Sequence, residues 1–294
     1  MVQSTHRRDV REGGRRTRNE LWEGGRDAPL VSVIIPTRNS ETTLPRCLDS
    51  VLAQTYPHVE IIVVDGASTD GTLDVLRTYE DRVDYWISEP DEGIYPAMNK
   101  GLDLARGELI GILGSDDRYR PDAIQHVVRA YREHPAAAGF MGHRAVEEAD
   151  GKAWEKRPAL SRRQIARGRF QYNHPATFFT AATHERLGDF DPHLPVAADG
   201  DLILRVIMSG GTIVTVPRVL TLVEPLGTSH VGGFSDLRRR LAEWRRMYRK
   251  NGVPFLTRTF ALTLQTMRAL RYLLLVKTLG PQRYARFRRR VGQA

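Results

Sequence analysis

Three groups of carboxylates are placed where they could do chemistry. Ser115-Asp116-Asp117 closes "GELIGILGSDD", an apolar run through Leu109, Ile110, Ile112 and Leu113 that ends in adjacent negative charge. Asp65 closes an earlier run, "VEIIVVD", and leads into a loop of small polar residues ending at Asp70. Asp199 and Asp201 open the segment "AADGDLILRVIM". Mg²⁺ and Mn²⁺ take oxygen ligands, typically one or two carboxylates, with water and substrate phosphates completing the shell. The aspartate pair with Asp65 on a second strand end therefore points to a divalent cation able to neutralise charge on a departing diphosphate. The other reading of Asp116-Asp117 is a turn and N-cap ahead of the helix that starts near Pro121. Asp199 and Asp201 on their own read as helix-start acids, which cap N–H groups and complement the helix dipole. Glycines 107, 111 and 114 have the wrong spacing for a GxGxxG dinucleotide turn.

The elements that must hold these residues alternate. "LVSVIIPTRN" (30–39) predicts a buried strand stopped near Pro36, and "ETTLPRCLDSVLAQ" (41–54) has helical spacing at Leu44, Leu48, Val51 and Leu52. "VEIIVVD" predicts the next strand, a helix runs through Leu73 and Leu76, and "VDYWIS" (83–88) is a third strand. A helix over 96–105, the strand of 107–114 and a helix over 121–134, with Pro121 suited to its first turn, continue the pattern. This alternation predicts an α/β fold with βαβ units, a mostly parallel central sheet and flanking helices. In such sheets ligands bind beyond the carboxyl ends of the strands. The polar ends Thr37-Arg38-Asn39, Asp65–Asp70 and Ser115-Asp116-Asp117 should then share one crevice. The second half is less regular, with short strands and turns around "FQYNHPATFFTAATHERLGDFDP" and a helix over 197–211 stopped by Gly210-Gly211.

Composition excludes several classes. The 294 residues are 41% hydrophobic, ordinary for a globular chain. A single cysteine, Cys47, excludes an intramolecular disulfide and a cysteine-rich zinc site, and its place on a helix suits an apolar filler. Residues 1–28 are basic without an apolar core, read as a disordered arm rather than a secretory signal. No run of about 18 apolar residues suggests a membrane span, and the default location is cytoplasmic. Residues 236–294 hold 16 Lys+Arg against two acids, a net of +14; subtracted from +9, this leaves −5 for residues 1–235. The organisation expected is an arm (1–28), a catalytic domain (29–235) and a basic amphipathic helical extension (236–294).

The ordered blocks "VSVIIPTRN", "VVDGASTDGT", "SEPDEGIYPAMNKG", "GELIGILGSDD" and "AADGDLILR" resemble the family 2 inverting glycosyltransferases of the GT-A nucleotide-diphospho-sugar transferase fold. Blocks two and three are most similar to bacterial enzymes that build surface polysaccharides or glycolipids. The resemblance implies Pro36, Thr37, Asn39, Asp65, Asp91, Ser115 and Asp116 on the nucleotide side, with Asp65 accepting a hydrogen bond from the base. It implies Asp117 as principal metal ligand, with Asp116 on the ribose or reaching the metal through water. Asp199 would be the base that takes the acceptor's hydroxyl proton, since that hydroxyl titrates far above neutrality. Asp201 and His174 would face acceptor or diphosphate, or be structural. His230, before "VGGFS", would be a third metal ligand on a closing loop. Where the family pattern has aspartate after Tyr95, this chain has Pro96, compatible with a first helical turn.

The resemblance thus implies a Mn²⁺- or Mg²⁺-dependent enzyme. It would move one sugar from a nucleotide diphosphate sugar, UDP-sugar favoured, to a lipid-linked glycan or glycolipid by direct displacement. No Q-x-x-R-W block of processive synthases is present, so single addition is expected. The rivals are a nucleotidyltransferase of related fold and a non-catalytic nucleotide-sugar-binding scaffold. In the tail, "FALTLQTMRALRYLLLVKTLG" (260–280) reads either as a helix lying on an anionic membrane surface or as one packed on the catalytic body. The first places the protein on the inner face of the cell membrane. No nucleic-acid reader motif is present, and no nucleic-acid partner is expected.

Overall fold

The computed structural model describes residues 10–18, 28–147, 153–166, 170–224 and 234–279. In chain order the strands are β1 Arg11–Gly13, β2 Val31–Thr37, β3 Val59–Asp65, β4 Tyr85–Ser88, β5 Leu109–Ile112, β6 Arg118–Tyr119, β7 Gly139–Glu147, β8 Ala153–Lys156, β9 Thr177–Thr180 and β10 Ile213–Val223. The helices are α1 Leu44–Leu52, α2 Thr72–Thr78, α3 Ile94–Leu104, α4 Ala123–Glu133, α5 Arg162–Ala166, α6 Ala181–Leu187, α7 Ala198–Met208, α8 Phe234–Lys250 and α9 Phe255–Leu279.

The strands form one sheet in the order β1-β4-β3-β2-β5-β9-β7-β10-β6, with β8 beside β7. The alternating first half gives the parallel set β4-β3-β2-β5. The expected α/β sheet is present but mixed: β9 runs antiparallel to both β5 and β7, and β6 antiparallel to β10. Every residue of β2 is buried, the pattern of a strand covered on both faces. Val31, Val33 and Ile35 pack in the larger core with α1, α2 and α4, while Ile62 and Val64 of β3 face Ala97 of α3. Helix α3 comes close enough that a Cβ on Gly101 would lie 2.3 Å from Ile34 Cγ2, so glycine alone fits that crossing. Pro96 sits in the first turn of α3, and the helix forms as expected.

Part of the arm read as disordered is structured. Strand β1 pairs antiparallel with the β4 edge, Gly13 opposite Trp86, and residues 15–18 form a short 3₁₀ turn. The arginines that look solvated in sequence have buried partners: Arg16 pairs with Glu60 and donates to Leu104 O at 2.9 Å, and Arg15 lies 3.5 Å from Asp84. Glu80 joins this strap to the body, accepting from Gly14 N and from Trp86 Nε1, both at 2.7 Å.

Residues 1–158 with 171–227 form one compact unit, and residues 159–170 with 228–294 a second. The first holds the sheet. In the second, α9 packs against α8 and α5, Tyr248 is buried, and Gln265 donates to its hydroxyl at 3.3 Å. Among the described residues no helix is long and apolar enough to cross a membrane.

Candidate active site

Register brings the first polar groups level. Thr37 pairs with Asp65 and Asp65 with Ser88, so the carboxyl ends of β2, β3 and β4 finish in one row. The Asp65 carboxylate is fully buried and committed to its own loop. Its Oδ2 accepts from Ser88 Oγ at 2.6 Å and from Ser68 N at 3.0 Å, and its Oδ1 accepts from Ser68 Oγ. Ser68 Oγ in turn accepts from Asn39 N at 2.7 Å, and Asn39 Oδ1 accepts from Thr69 N at 2.9 Å. Asn39 and Ala67 both adopt left-handed backbone, with φ of 51° and 53°. That conformation costs a non-glycine residue about 1–2 kcal/mol, and the Asp65–Ser68–Asn39 network holds it. In this conformation Asp65 ties the loop after β3 to the strand ends and has no exposed surface.

Two buried atoms beside that loop have no hydrogen-bond partner: Thr37 Oγ1 and Asp91 Oδ2. Thr37 O accepts from Gly66 N at 2.9 Å, and a Cβ on Gly66 would lie 3.6 Å from Asp91 Oδ2 and 3.5 Å from Arg38. Gly66 thus lies against Thr37, Arg38 and Asp91 at ordinary contact distances. Lys100 holds Asp91 in place, reaching its Oδ1 at 2.7 Å and Glu89 at 2.6 Å. Buried polar atoms are rarely left unsatisfied, so Thr37 Oγ1 and Asp91 Oδ2 are the candidate polar contacts of this strand end. Pro36 lies inside buried β2 and contributes shape rather than a polar contact.

The acidic corner follows β5. Asp117 N donates to Gly114 O at 2.9 Å, closing a turn, and Ser115 Oγ lies 2.9 Å from Ser40 Oγ. The N-cap alternative fails: α4 begins at Ala123 with Asp122 at the cap position, away from the aspartate pair. A Cβ on Gly114 would lie 2.8 Å from Asp116 Oδ1 and 3.3 Å from Asp117 Oδ2, so both carboxylates fold over a glycine. Burial first, then the neighbouring Asp116, pushes the Asp117 carboxyl up to about 8; Glu224 adds to this, and Arg144 and Arg46 oppose it. Cys47 is buried on α1 beneath this turn, the apolar filler expected, with its thiol 3.4 Å from Gly114 O.

Asp116 and Asp117 fit a divalent cation, because crowded, desolvated carboxylate charge is what a cation relieves. Among the described residues no group of three His, Cys, Asp or Glu could hold a metal ion. Among the described residues Asp116 and Asp117 are therefore the protein donors on offer. His230, the expected third ligand, lies outside the described residues.

The remaining carboxylate stands in the first turn of α7. Asp199 Oδ1 accepts from Gly200 N at 2.7 Å and from the phenols of Tyr95 and Tyr172, each at 3.2 Å. All three bonds fall on Oδ1, leaving Oδ2 without a protein donor among the described residues. Phe190 packs against both Tyr95 and His174, at 5.7 and 5.8 Å between ring centroids. His174 Nε2 is buried without a partner, and burial pushes the imidazole below its ordinary range, so it is neutral near pH 7. The charges of Asp199 and Arg144 act on His174 in opposite directions, and Arg144 also opposes the rise at Asp117.

Asp201 is the exception. It is fully buried and bonded to Arg205 Nε at 2.9 Å, and that guanidinium holds the carbonyls of Gly188 and Asp189 at 2.8 and 2.6 Å. Through Arg205, Asp201 anchors the loop after α6. Two residues on a helix turn the side chain about 200°, which separates Asp199 from Asp201. Tyr172, Arg144 and Lys100 carried no signal in the sequence reading, although Tyr172 sits two residues before His174.

Comparison with known proteins shows the fold and the family. The chain is 33% identical over 185 residues to a PGL/p-HBAD biosynthesis glycosyltransferase of Mycobacterium bovis, covering 60% of this chain and 70% of that one. Its fold is similar to S. aureus TarS in complex with UDP-GlcNAc, with TM-score 0.61, 20% identity, and coverage of 75% of this chain and 66% of that one. The chain spans 39% of a longer TarS chain. A mannosyltransferase of Pyrobaculum calidifontis in complex with GDP-Man and Mn²⁺ gives TM-score 0.61 at 24% identity, over 83% of this chain and 72% of that one. The family model for glycosyl transferase family 2 matches residues 32–187, the span from β2 through α6 that includes Asp65 and the acidic corner, and the chain belongs to that family.

Proposed function

We propose that this transferase moves a single sugar from a nucleoside diphosphate sugar, UDP-sugar favoured, to a lipid-linked glycan or glycolipid at the inner face of the cell membrane, with inversion. One observation carries the reading: beyond β5 an aspartate pair is crowded over Gly114, and in the first turn of α7 Asp199 takes two phenols on Oδ1 while its Oδ2 has no donor among the described residues. Complexes of TarS with UDP-GlcNAc and of the mannosyltransferase with GDP-Man support a nucleotide-sugar donor, and the mycobacterial relative's role in PGL/p-HBAD biosynthesis supports a surface-glycan acceptor.

The donor's base and ribose would lie beside Thr37, Gly66 and Asp91, where the buried Thr37 Oγ1 and Asp91 Oδ2 have no protein partner. Asp116 and Asp117 would hold Mn²⁺ or Mg²⁺, which when bound neutralises charge on the diphosphate. Asp199 Oδ2 takes the proton of the acceptor hydroxyl as its oxygen bonds to the anomeric carbon. The bond from that carbon to the diphosphate oxygen breaks on the opposite face and the electron pair leaves with the nucleoside diphosphate. One carboxylate base and one displacement give inversion, with no enzyme nucleophile. Tyr95 and Tyr172 fix which oxygen of Asp199 points to the acceptor.

A thermal-shift screen of UDP, GDP and dTDP with and without Mn²⁺ tests the donor and metal assignments; a metal-dependent shift for UDP is expected. In a transfer assay Asp117→Ala and Asp199→Asn should each lose about 10²–10⁴-fold in rate. Full activity of Asp199→Asn overturns the base assignment, and nucleotide binding without turnover on any acceptor favours a scaffold.

A further inference from the structure

Helix α9 exposes an apolar seam that its overall composition conceals. Leu256, Phe260, Met267, Leu270 and Leu274 are exposed, Leu256 by 80% and Leu274 by 62%. With exposed Thr263 they fall at positions 256, 260, 263, 267, 270 and 274, alternating steps of four and three along one helix face. The seam runs 19 residues, about 27 Å over 18 rises of 1.5 Å. The opposite side also carries apolar side chains, Ala261 buried and Leu262, Leu273 and Val276 half-buried, so the helix is apolar on two faces. Only one of those faces is turned inward.

The charge on α9 selects what covers the other. Residues 255–279 contain Arg258, Arg268, Arg271 and Lys277 and no acid. The next seam step after Leu274 is Lys277, which is exposed. A second copy of α9 would set a lysine into a helix–helix seam and offer no carboxylate to any of these cations, an arrangement paired helices avoid. A bilayer accommodates the same pattern: leucines and Phe260 enter the acyl boundary while lysine and arginine stems reach the headgroups. Contiguous exposed apolar surface of this size marks an interaction site.

We propose that the Leu256–Leu274 face of α9 docks on the surface of a bilayer containing anionic lipid. The placement suits the lipid-linked acceptor proposed above but stands on α9 alone. The experiment is co-sedimentation of the full chain with phosphatidylcholine vesicles, with and without phosphatidylglycerol. Binding to phosphatidylglycerol vesicles that weakens at high salt is expected. The Leu270→Glu/Leu274→Glu variant should lose bound fraction by about tenfold or more, with unchanged circular dichroism, because both side chains already face water. Leu256→Ser/Phe260→Ser, a milder pair, should show the same direction. Undiminished binding by both variants overturns the proposal, as does equal binding to neutral vesicles. Self-association dispersed by these substitutions, without vesicle binding, also overturns it and assigns the seam to a second copy. The UDP thermal shift is read on the same samples: vesicle binding with no nucleotide shift upholds the docking face while removing the donor assignment.

Discussion

Tyr95 and Asp199 are 104 residues apart in the chain, and the phenol of one donates to Oδ1 of the other at 3.2 Å. Tyr172 Oη reaches the same oxygen at the same distance. Two side-chain donors on one oxygen give the carboxylate a fixed orientation, and the proposed base is the other oxygen.

Removing one of these donors should therefore affect the chemical step more than binding. Tyr172→Phe is expected to lower kcat by about tenfold, the worth of one hydrogen bond to a charged group. KM for the donor should change little, because Tyr172 lies on the Asp199 side of the site. Tyr95→Phe should behave alike. Steady-state kinetics at saturating acceptor check this; a change confined to KM would place the phenols in substrate binding instead.

Asp117 predicts two pH dependences. Its carboxyl, near 8 in the folded chain without a cation and 3.8 unfolded, holds a proton in the native state that the unfolded state has released between about pH 4 and 8. Stability without metal therefore falls as pH rises through that window. Asp117→Asn removes the penalty, so its Tm should exceed that of the natural sequence above about pH 8 and match it below about pH 4. Mn²⁺ binding must displace that proton, so its apparent affinity should rise by up to about tenfold per pH unit below 8 and level off above. Thermal melts and calorimetric titrations across this range read both signs.

The strap ahead of β2 predicts a contrast in stability. Arg16 and Glu60 are both largely buried, with side-chain exposures of 10% and 6%, and Glu60 also accepts from Ser32 Oγ at 2.6 Å and Arg106 N at 3.0 Å. Arg16→Ala leaves that buried carboxylate without its cation and should cost about 3 kcal/mol. Arg18 pairs with Asp81, which is 89% exposed, and Arg18→Ala should cost under about 1 kcal/mol. Urea denaturation of the two variants measures the difference.

Much of this molecule is legible along the chain. The runs at 31–37, 59–65 and 109–112 become strands and 44–52, 94–104 and 123–133 become helices, because each buries a continuous apolar stretch or a 3.6-residue stripe. The polar residues that terminate those strands follow, since parallel register sets Thr37 beside Asp65 and Asp65 beside Ser88. Strand β1 is not legible: Arg11-Glu12-Gly13 has no apolar signal, and it is held by main-chain bonds to an edge, with Gly14 and Arg16 just after it bound to carboxylates 44 or more residues away. Asp199 and Asp201 look equivalent in sequence, yet helix rotation turns one toward two phenols and the other into Arg205. On α9 the apolar residues are plain in the sequence, but which of its two apolar faces is covered depends on the packing of α5 and α8. Local pattern sets which segments fold and what chemistry their ends carry. Contacts between distant segments set which carboxylate is structural, which oxygen is free and which surface faces outward.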